Sequence, residues 1–175
     1  MRAGAALAPQ EKTEEEKLMI RRAEDRDLES IVKLLLQVHK VHSDARPDIF
    51  RPGSRKYRDE EILHIIHDEK TPVWVLTEED DTPVLGYCFC EVQETKDDAS
   101  LQDRRVLYID DLCVDENARR GHVGKRLYDF VTKWASENGF DAVTLNVWSS
   151  NPGAMKFYET MGLKPLKVTM ENRFK

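Results

Sequence analysis

A chain of 175 residues is the size of one domain, with room for a single sizeable core and too little length for two ordinary ones. Its 27 Lys and Arg against 33 Asp and Glu leave a formal charge of −6, which speaks against a general nucleic-acid or membrane-surface binder and suits a small cationic partner. No apolar run approaches the roughly 18 residues of a membrane span, and "MRAGAALAPQ" is too short and too weakly apolar for a secretory leader, so a cytoplasmic protein is expected.

Residues 1–18, small side chains followed by a charge run, carry no apolar periodicity and are expected to form a disordered extension ahead of a domain at 19–175. "LMIRRA" reads as a short strand. Asp25 or Asp27 then caps a helix whose stripe is Leu28, Ile31, Leu34, Leu35 and Val38. "VHSDARPDIFRPGSRKY" breaks the pattern with Pro47, Pro52 and Gly53, a loop long enough to shape a site. A second helix follows near Asp59 to Asp68, with Ile62, Ile65 and Ile66 inward.

"TPVWVLTEEDDTPVLGYCFCEVQE" predicts an antiparallel hairpin with an acidic turn, and "RVLYIDDLCVDE" a further strand. Cys88, Cys90 and Cys113 are odd in number and lack a C-x-x-C spacing, so buried small hydrophobes are expected in preference to metal or redox chemistry. The next helix turns Val123, Leu127, Phe130, Val131 and Trp134 inward, and sets Lys125, Asp129, Lys133 and Glu137 in alternating sign outside. Asn138 and Gly139 stop it. "DAVTLNVW" is a strand, Asn151 and Pro152 open a last helix that Gly162 ends, and "LKPLKVTMENRF" closes the chain as strand.

The stretch "DENARRGHVGKRLYDF" is basic inside an acidic chain. A strand that turns through glycines into a helix leaves backbone N–H groups unpaired at a helix N-terminus, where the macrodipole adds about half a positive charge. Gly121 and Gly124 allow close approach of the backbone, and Arg119, Arg120 and Lys125 can neutralise a pyrophosphate. The alternative is an ordinary turn with a solvated basic face. It is not a P-loop: Gly121 and Gly124 are too close, and Arg126 stands where a hydroxyl would hold magnesium.

This loop resembles the R/Q-x-x-G-x-G/A loop of the GNAT superfamily, the GCN5-related N-acetyltransferases. Arg119, Arg120, Gly121, His122, Val123 and Gly124 fill its six positions, with His122 where the first glycine usually stands. A second stretch, "NPGAMKFYETMGL", is similar to the family's other signature through Asn151, Ala154, Tyr158 and Gly162. The resemblance implies an α/β (α+β mixed) fold: a mixed, mostly antiparallel sheet of about six to seven strands flanked by about four helices. A side chain at 122 is read as requiring negative φ.

The resemblance further implies transfer of an acetyl group from acetyl-CoA to a primary amine by direct attack. Arg119 to Lys125 and Asn151 would contact the cosubstrate, the backbone of Leu112, Cys113 and Val114 its acetyl and pantetheine groups, and Tyr158 would be general acid toward the thiolate. Asp110 is the first candidate for general base and Asp111 the second. Because neighbouring strand residues point to opposite faces, one of the two is expected to face away from the acceptor.

The acceptor should enter beside the first two helices and their loop, which carries His39, His42, Asp44, Arg46 and Asp48, with His42, Asp44 and Asp111 as its contacts. Net acidity favours a polyamine, a lysine or a peptide N-terminus, while Arg46, Arg51 and Arg55 could hold a carboxylate instead. The paired histidines His39/His42 and His64/His67 lack a third ligand, so no metal is expected. A homodimer is open, as is a second function: a non-catalytic acyl-CoA sensor or interaction module.

Overall fold

A computed structural model describes residues 18–80, 82–119 and 121–174. The expected extension lies outside the described residues but for Leu18, as does Arg120. Among the described residues the strands are β1 (Met19–Arg22), β2 (Val73–Thr77), β3 (Gly86–Thr95), β4 (Arg104–Val114) and β5 (Ala142–Leu145). Four helices are α1 (Leu28–Ala45), α2 (Asp59–His67), α3 (Val123–Glu137) and α4 (Pro152–Thr160), with 3₁₀ turns at Asp25–Asp27 and Glu116–Ala118.

The strands lie side by side in chain order, antiparallel from β1 to β4, with β5 parallel to β4. Alternation sorts their side chains into two cores. Val73, Val75, Tyr87 and Phe89 pack with Ile31, Leu34 and Leu35 of α1 and Ile62 and Ile66 of α2. Trp74, Leu76, Cys88 and Cys90 pack on the opposite side with Val123, Leu127 and Val131 of α3. Both faces of β2 and of the first half of β3 are therefore covered, which is why these segments read as unbroken apolar runs. Fully burying each such side chain is worth about 1.5–3 kcal/mol.

Start and stop signals act locally. The Asn151 Oδ1 accepts the Ala154 amide at 3.0 Å, with Pro152 at the first helical position of α4. Gly139 and Gly162 take φ of +73° and +89° just past the ends of α3 and α4. Gly86 is a close-approach site: a Cβ there would stand 2.9 Å from the Cys113 carbonyl and about as near to Val123 and Leu127, so only glycine lets α3 settle on β3.

The strand count is lower than expected. Residues 164–174 form no ladder, and Leu166, Val168 and Met170 are 72, 74 and 85% exposed. An alternating pattern makes a strand only where a neighbour supplies hydrogen bonds and an apolar face; Pro165 also removes one donor. Ion pairs hold this tail instead. Arg46 Nη2 contacts Glu171 Oε2 at 2.9 Å and Asp48 Oδ2 at 2.8 Å, and Arg173 Nη2 lies 3.4 Å from Asp48. Asp48 is held down to about 2, chiefly by its bond with Arg46.

Candidate active site

The site lies where β4 and β5 part. Their parallel ladder runs from Val106 opposite Ala142 to Ile109 opposite Leu145 and ends there. β4 continues to Val114, paired with β3 on one side, so the other side of residues 110–114 carries no ladder to β5. The Asn146 amide, just past β5, donates to the Tyr108 hydroxyl at 3.0 Å at the point of divergence. Within the open stretch the Val114 carbonyl accepts from Gln37 Nε2 at 2.9 Å.

A bulge sits at the same place. Phe89 faces Asp111 and Cys90 faces Ile109, so Asp110 has no partner in β3. The extra residue shifts the alternation. Leu107 and Ile109 point into the α3 core, as do Leu112 and Val114 after the bulge, while Cys113 points to α1. Asp110 and Asp111 therefore both face the α1–α2 side, which corrects the expectation that one turns away.

Each carboxylate has a tyrosine. Asp110 Oδ2 accepts from Tyr57 Oη at 2.5 Å, and its Oδ1 accepts from Lys56 Nζ at 2.6 Å. Asp111 Oδ2 accepts from Tyr87 Oη at 2.8 Å. Burial pushes Asp111 up to about 6, against the opposing effect of the Tyr87 bond. Burial likewise raises the Tyr57 and Tyr87 phenols, and their carboxylate neighbours add to it.

Tyr158 comes from α4 and packs in the α3-side core, with its ring centroid 5.1 Å from Phe157 and 6.2 Å from Tyr128. Burial holds its phenol well above the ordinary range, with Cys88 and Asp111 adding to the shift, so it carries its proton at any working pH. Cys88 and Cys90 lie beside it as buried thiols with sulfurs 3.6 Å apart. Cys113 is also buried, its thiol pushed up to about 12 by burial first.

The basic loop closes the far end. Arg119, Gly121, His122 and Lys125 are exposed, Val123 is buried, and Lys125 pairs with Asp129. His122 has φ +57° and ψ +12°, so the expectation of negative φ is wrong. The chain enters α3 through a left-handed residue, the conformation for which glycine is the usual choice, and histidine is among the side chains that tolerate it. The His122 carbonyl accepts the Arg126 amide at 2.9 Å, so the amides ahead of Arg126 have no intrahelical acceptor. A methyl at Gly124 would meet Val114 at 3.4 Å and Phe157 at 3.6 Å, ordinary contact.

On the α1–α2 side His42 stacks on Phe50 at 5.1 Å, and Phe50 meets Trp148 edge-on at 5.0 Å. Burial first, then His39 and Lys56, lowers the His42 pKa, so the ring is neutral near pH 7 and lies within reach of the Lys56 charge. His39 Nε2 donates to the Arg51 carbonyl at 2.8 Å. Asp44 does not join this group: it is exposed and paired with Lys40 at 2.5 Å. Two residues along a helix from His42, it occupies another face. Arg46 and Arg55 are engaged by Asp48, Glu171 and Asp59, which leaves them poorly placed for a substrate carboxylate.

Tyr57, Lys56, Phe50 and Trp148 contact the candidate site or its neighbours and were not among the residues that sequence reasoning placed there. Tyr57 and Lys56 follow Gly53 in the loop between α1 and α2, and no periodicity marks which loop residue reaches a strand more than fifty positions away. Among the described residues no three His, Cys, Asp or Glu side chains gather as for a metal ion, and no helix is long and apolar enough to cross a membrane.

Residues 35–163 match the sequence model of the Acetyltransferase (GNAT) family, well over half of the chain. The chain belongs to the GNAT family. Among solved structures, a mutant of the BH1408 protein from Bacillus halodurans shares 30% identity, covering 90% of this chain and 99% of its own, with a TM-score of 0.85. An aminoglycoside acetyltransferase from an uncultured soil metagenomic sample, in complex with trehalose, shares 20% identity over 90% of this chain and 97% of its own, with a TM-score of 0.66. A Trypanosoma brucei acetyltransferase shares 19% over 90% of this chain and 99% of its own, at 0.65. The last two share the GNAT fold at identities too low to carry more. No curated protein matches the sequence.

Proposed function

We propose that this GNAT protein transfers an acetyl group from acetyl-CoA to a primary amine. The observation that carries the reading is the opening of β4 from β5, with two carboxylates on one side of it and a protonated tyrosine from the other core near the same strand. The open backbone of residues 110–114 suits the amides of a pantetheine arm, although the Val114 carbonyl already has a partner. The start of α3, whose first intrahelical bond is the one from the Arg126 amide, and the exposed Arg119 and Lys125 beside it suit a pyrophosphate. Asn151 serves first as the cap of α4, which sets the angle at which Tyr158 is presented.

An acceptor ammonium has an unperturbed pKa near 10.4, so it must lose a proton before it attacks. Asp111, raised to about 6, is the better proton acceptor near neutral pH, while Asp110, held by Tyr57 and Lys56, is placed to orient the amine. Tyr158 then donates to the departing thiolate. His42, Phe50 and Trp148 wall the approach; an aromatic wall beside carboxylates favours a cationic amine. A second reading, a cosubstrate-binding module without turnover, draws on the occupation of both Asp110 oxygens by the chain itself.

Thermal unfolding with acetyl-CoA, with ATP and NAD as controls, tests the binding half. At a hundredfold excess over Kd the ligand adds about 2.7 kcal/mol, or about 5–10 °C for a domain of this size. Thiol release in the presence of an amine panel tests the rest. A shift without release with any amine selects the module, and no shift rejects both.

A further inference from the structure

We propose that Lys56 is an internal acyl acceptor: the chain places its own amine in the acceptor position, and the enzyme acetylates it in cis. This rests on the transferase reading above and names a modification site within it.

An amine positioned by Asp110 has to stand within hydrogen-bond distance of its carboxylate, on the α1–α2 face, at the point where β4 leaves β5. Lys56 Nζ meets each condition. It lies 2.6 Å from Asp110 Oδ1 and 3.4 Å from the Asp110 carbonyl oxygen, at the bulge where the parallel ladder has just ended. The Tyr57 hydroxyl fixes the other carboxylate oxygen, and the Lys56 ammonium stands 5.3 Å from the centre of the Tyr57 ring. The carboxylate proposed to orient an external amine is thus occupied by an amine of the same chain, beside the Tyr57 ring.

The setting differs from that of other lysines. Lys40, Lys125 and Lys133 make pairs with a carboxylate one turn along their own helix, and Lys33 reaches Asp115 beyond the end of β4. The three helical pairs decorate a surface, and Lys33 reaches a buried carboxylate. Lys56 instead comes from an irregular loop, crosses to the strand bulge, and keeps its side chain 44% exposed beside an open depression that it lines with Tyr57, Glu60 and His64. A loop-borne lysine of this kind can withdraw and return.

The chemistry balances as an ordinary transfer. The Lys56 ammonium gives one proton to a carboxylate of the site, and Nζ attacks the thioester carbonyl carbon. The C–N bond forms and the C–S bond breaks. Tyr158 protonates the departing thiolate and regains a proton from the new amide nitrogen. The products are N-acetyl-lysine, free thiol and one proton released to solvent. The acetylated side chain carries no charge, so its ion pair with Asp110 is lost and the carboxylate is freed for an external amine.

The test is to incubate the full chain with acetyl-CoA at several protein concentrations, digest with a Glu-specific protease and follow acetylation lysine by lysine by mass spectrometry. Thermal unfolding of the same sample reports cosubstrate binding independently. Lys56 is expected to gain an acetyl group at least about tenfold faster than Lys33 and Lys40, with a first-order rate constant independent of protein concentration. Lys56→Arg keeps the ion pair and should abolish the fast phase. Tyr158→Phe should slow Lys56 while leaving the background lysines unchanged. Equal rates at all these lysines in a sample that binds acetyl-CoA overturn the inference and leave the transferase reading standing. A rate constant that rises with protein concentration overturns the cis assignment, and absence of binding removes both readings together.

Discussion

Asp110 and Asp111, neighbours in the chain, turn both carboxylates to the same face of the sheet, and each accepts a hydrogen bond from a different tyrosine. The bulge places two negative groups side by side, and burial holds Asp111 up at about 6. The folded protein thus binds a proton that the unfolded chain releases, between an ordinary aspartate value of about 4 and about 6. The resulting stability is complete below the unfolded value and is lost as pH rises through 6. Asp111→Asn keeps an acceptor for Tyr87 and removes the dependence. The variant is expected to gain about 1–3 kcal/mol over the wild type at pH 8 and almost nothing at pH 4. Denaturant unfolding at the two pH values measures this; the same difference at both would mean that Asp111 titrates as an ordinary surface carboxylate.

Tyr158→Phe should lower the chemical step by about 10²–10⁴-fold and leave acetyl-CoA affinity nearly unchanged, since the ring and its packing against Phe157 and Tyr128 are retained. Single-turnover kinetics separates the two. A rate equal to that of the wild type removes the phenol from the reaction.

His122→Gly should stabilise the protein by about 1–2 kcal/mol, because it replaces a left-handed histidine, φ +57°, with the residue that has no Cβ to clash. For a domain of this size that is a rise in Tm of about 2–8 °C. A fall in Tm would show that the imidazole makes a contact worth more than the backbone strain.

Arg46→Ala should release the C-terminal tail. Arg46 bonds both Asp48 and Glu171, and no ladder holds residues 164–174 in its place. Cleavage by trypsin after Lys167 is expected to accelerate severalfold with little change in Tm, and wild-type cleavage to accelerate likewise as salt screens these charges. Tail cleavage insensitive to both salt and the substitution would mean that something other than these pairs holds the segment.

The helices were legible because each carries a stripe at helical spacing and a local stop: Ile31, Leu34 and Leu35 are buried as their spacing requires, and Gly139 and Gly162 lie where the chain must leave the helix. The loop and the Tyr158 signature were legible through the family they resemble. The bulge at Asp110 was not, because one unpaired residue leaves no mark on composition and inverts every facing inference made from alternation across it. Lys56 and Tyr57 were hidden for a related reason: their contacts with Asp110 are tertiary and come from a loop without periodicity. The last strand failed in the opposite sense, since alternation at Leu166, Val168 and Met170 describes a segment able to pair and says nothing of a partner.

The parting of β4 from β5 after Ile109 has a consequence for solubility. Unpaired strand backbone normally lies at the rim of a sheet, where a strand from another molecule can add to it and start an aggregate. Here the open stretch is only the end of β4, residues 110–114, past the point where β5 stops pairing and leaves a notch in the sheet, so an incoming strand could pair over a few residues at most. A slender amide chain without side chains fits such a wedge far more easily. So short an opening offers little to strand addition, without the prolines and lysines that guard an outer edge.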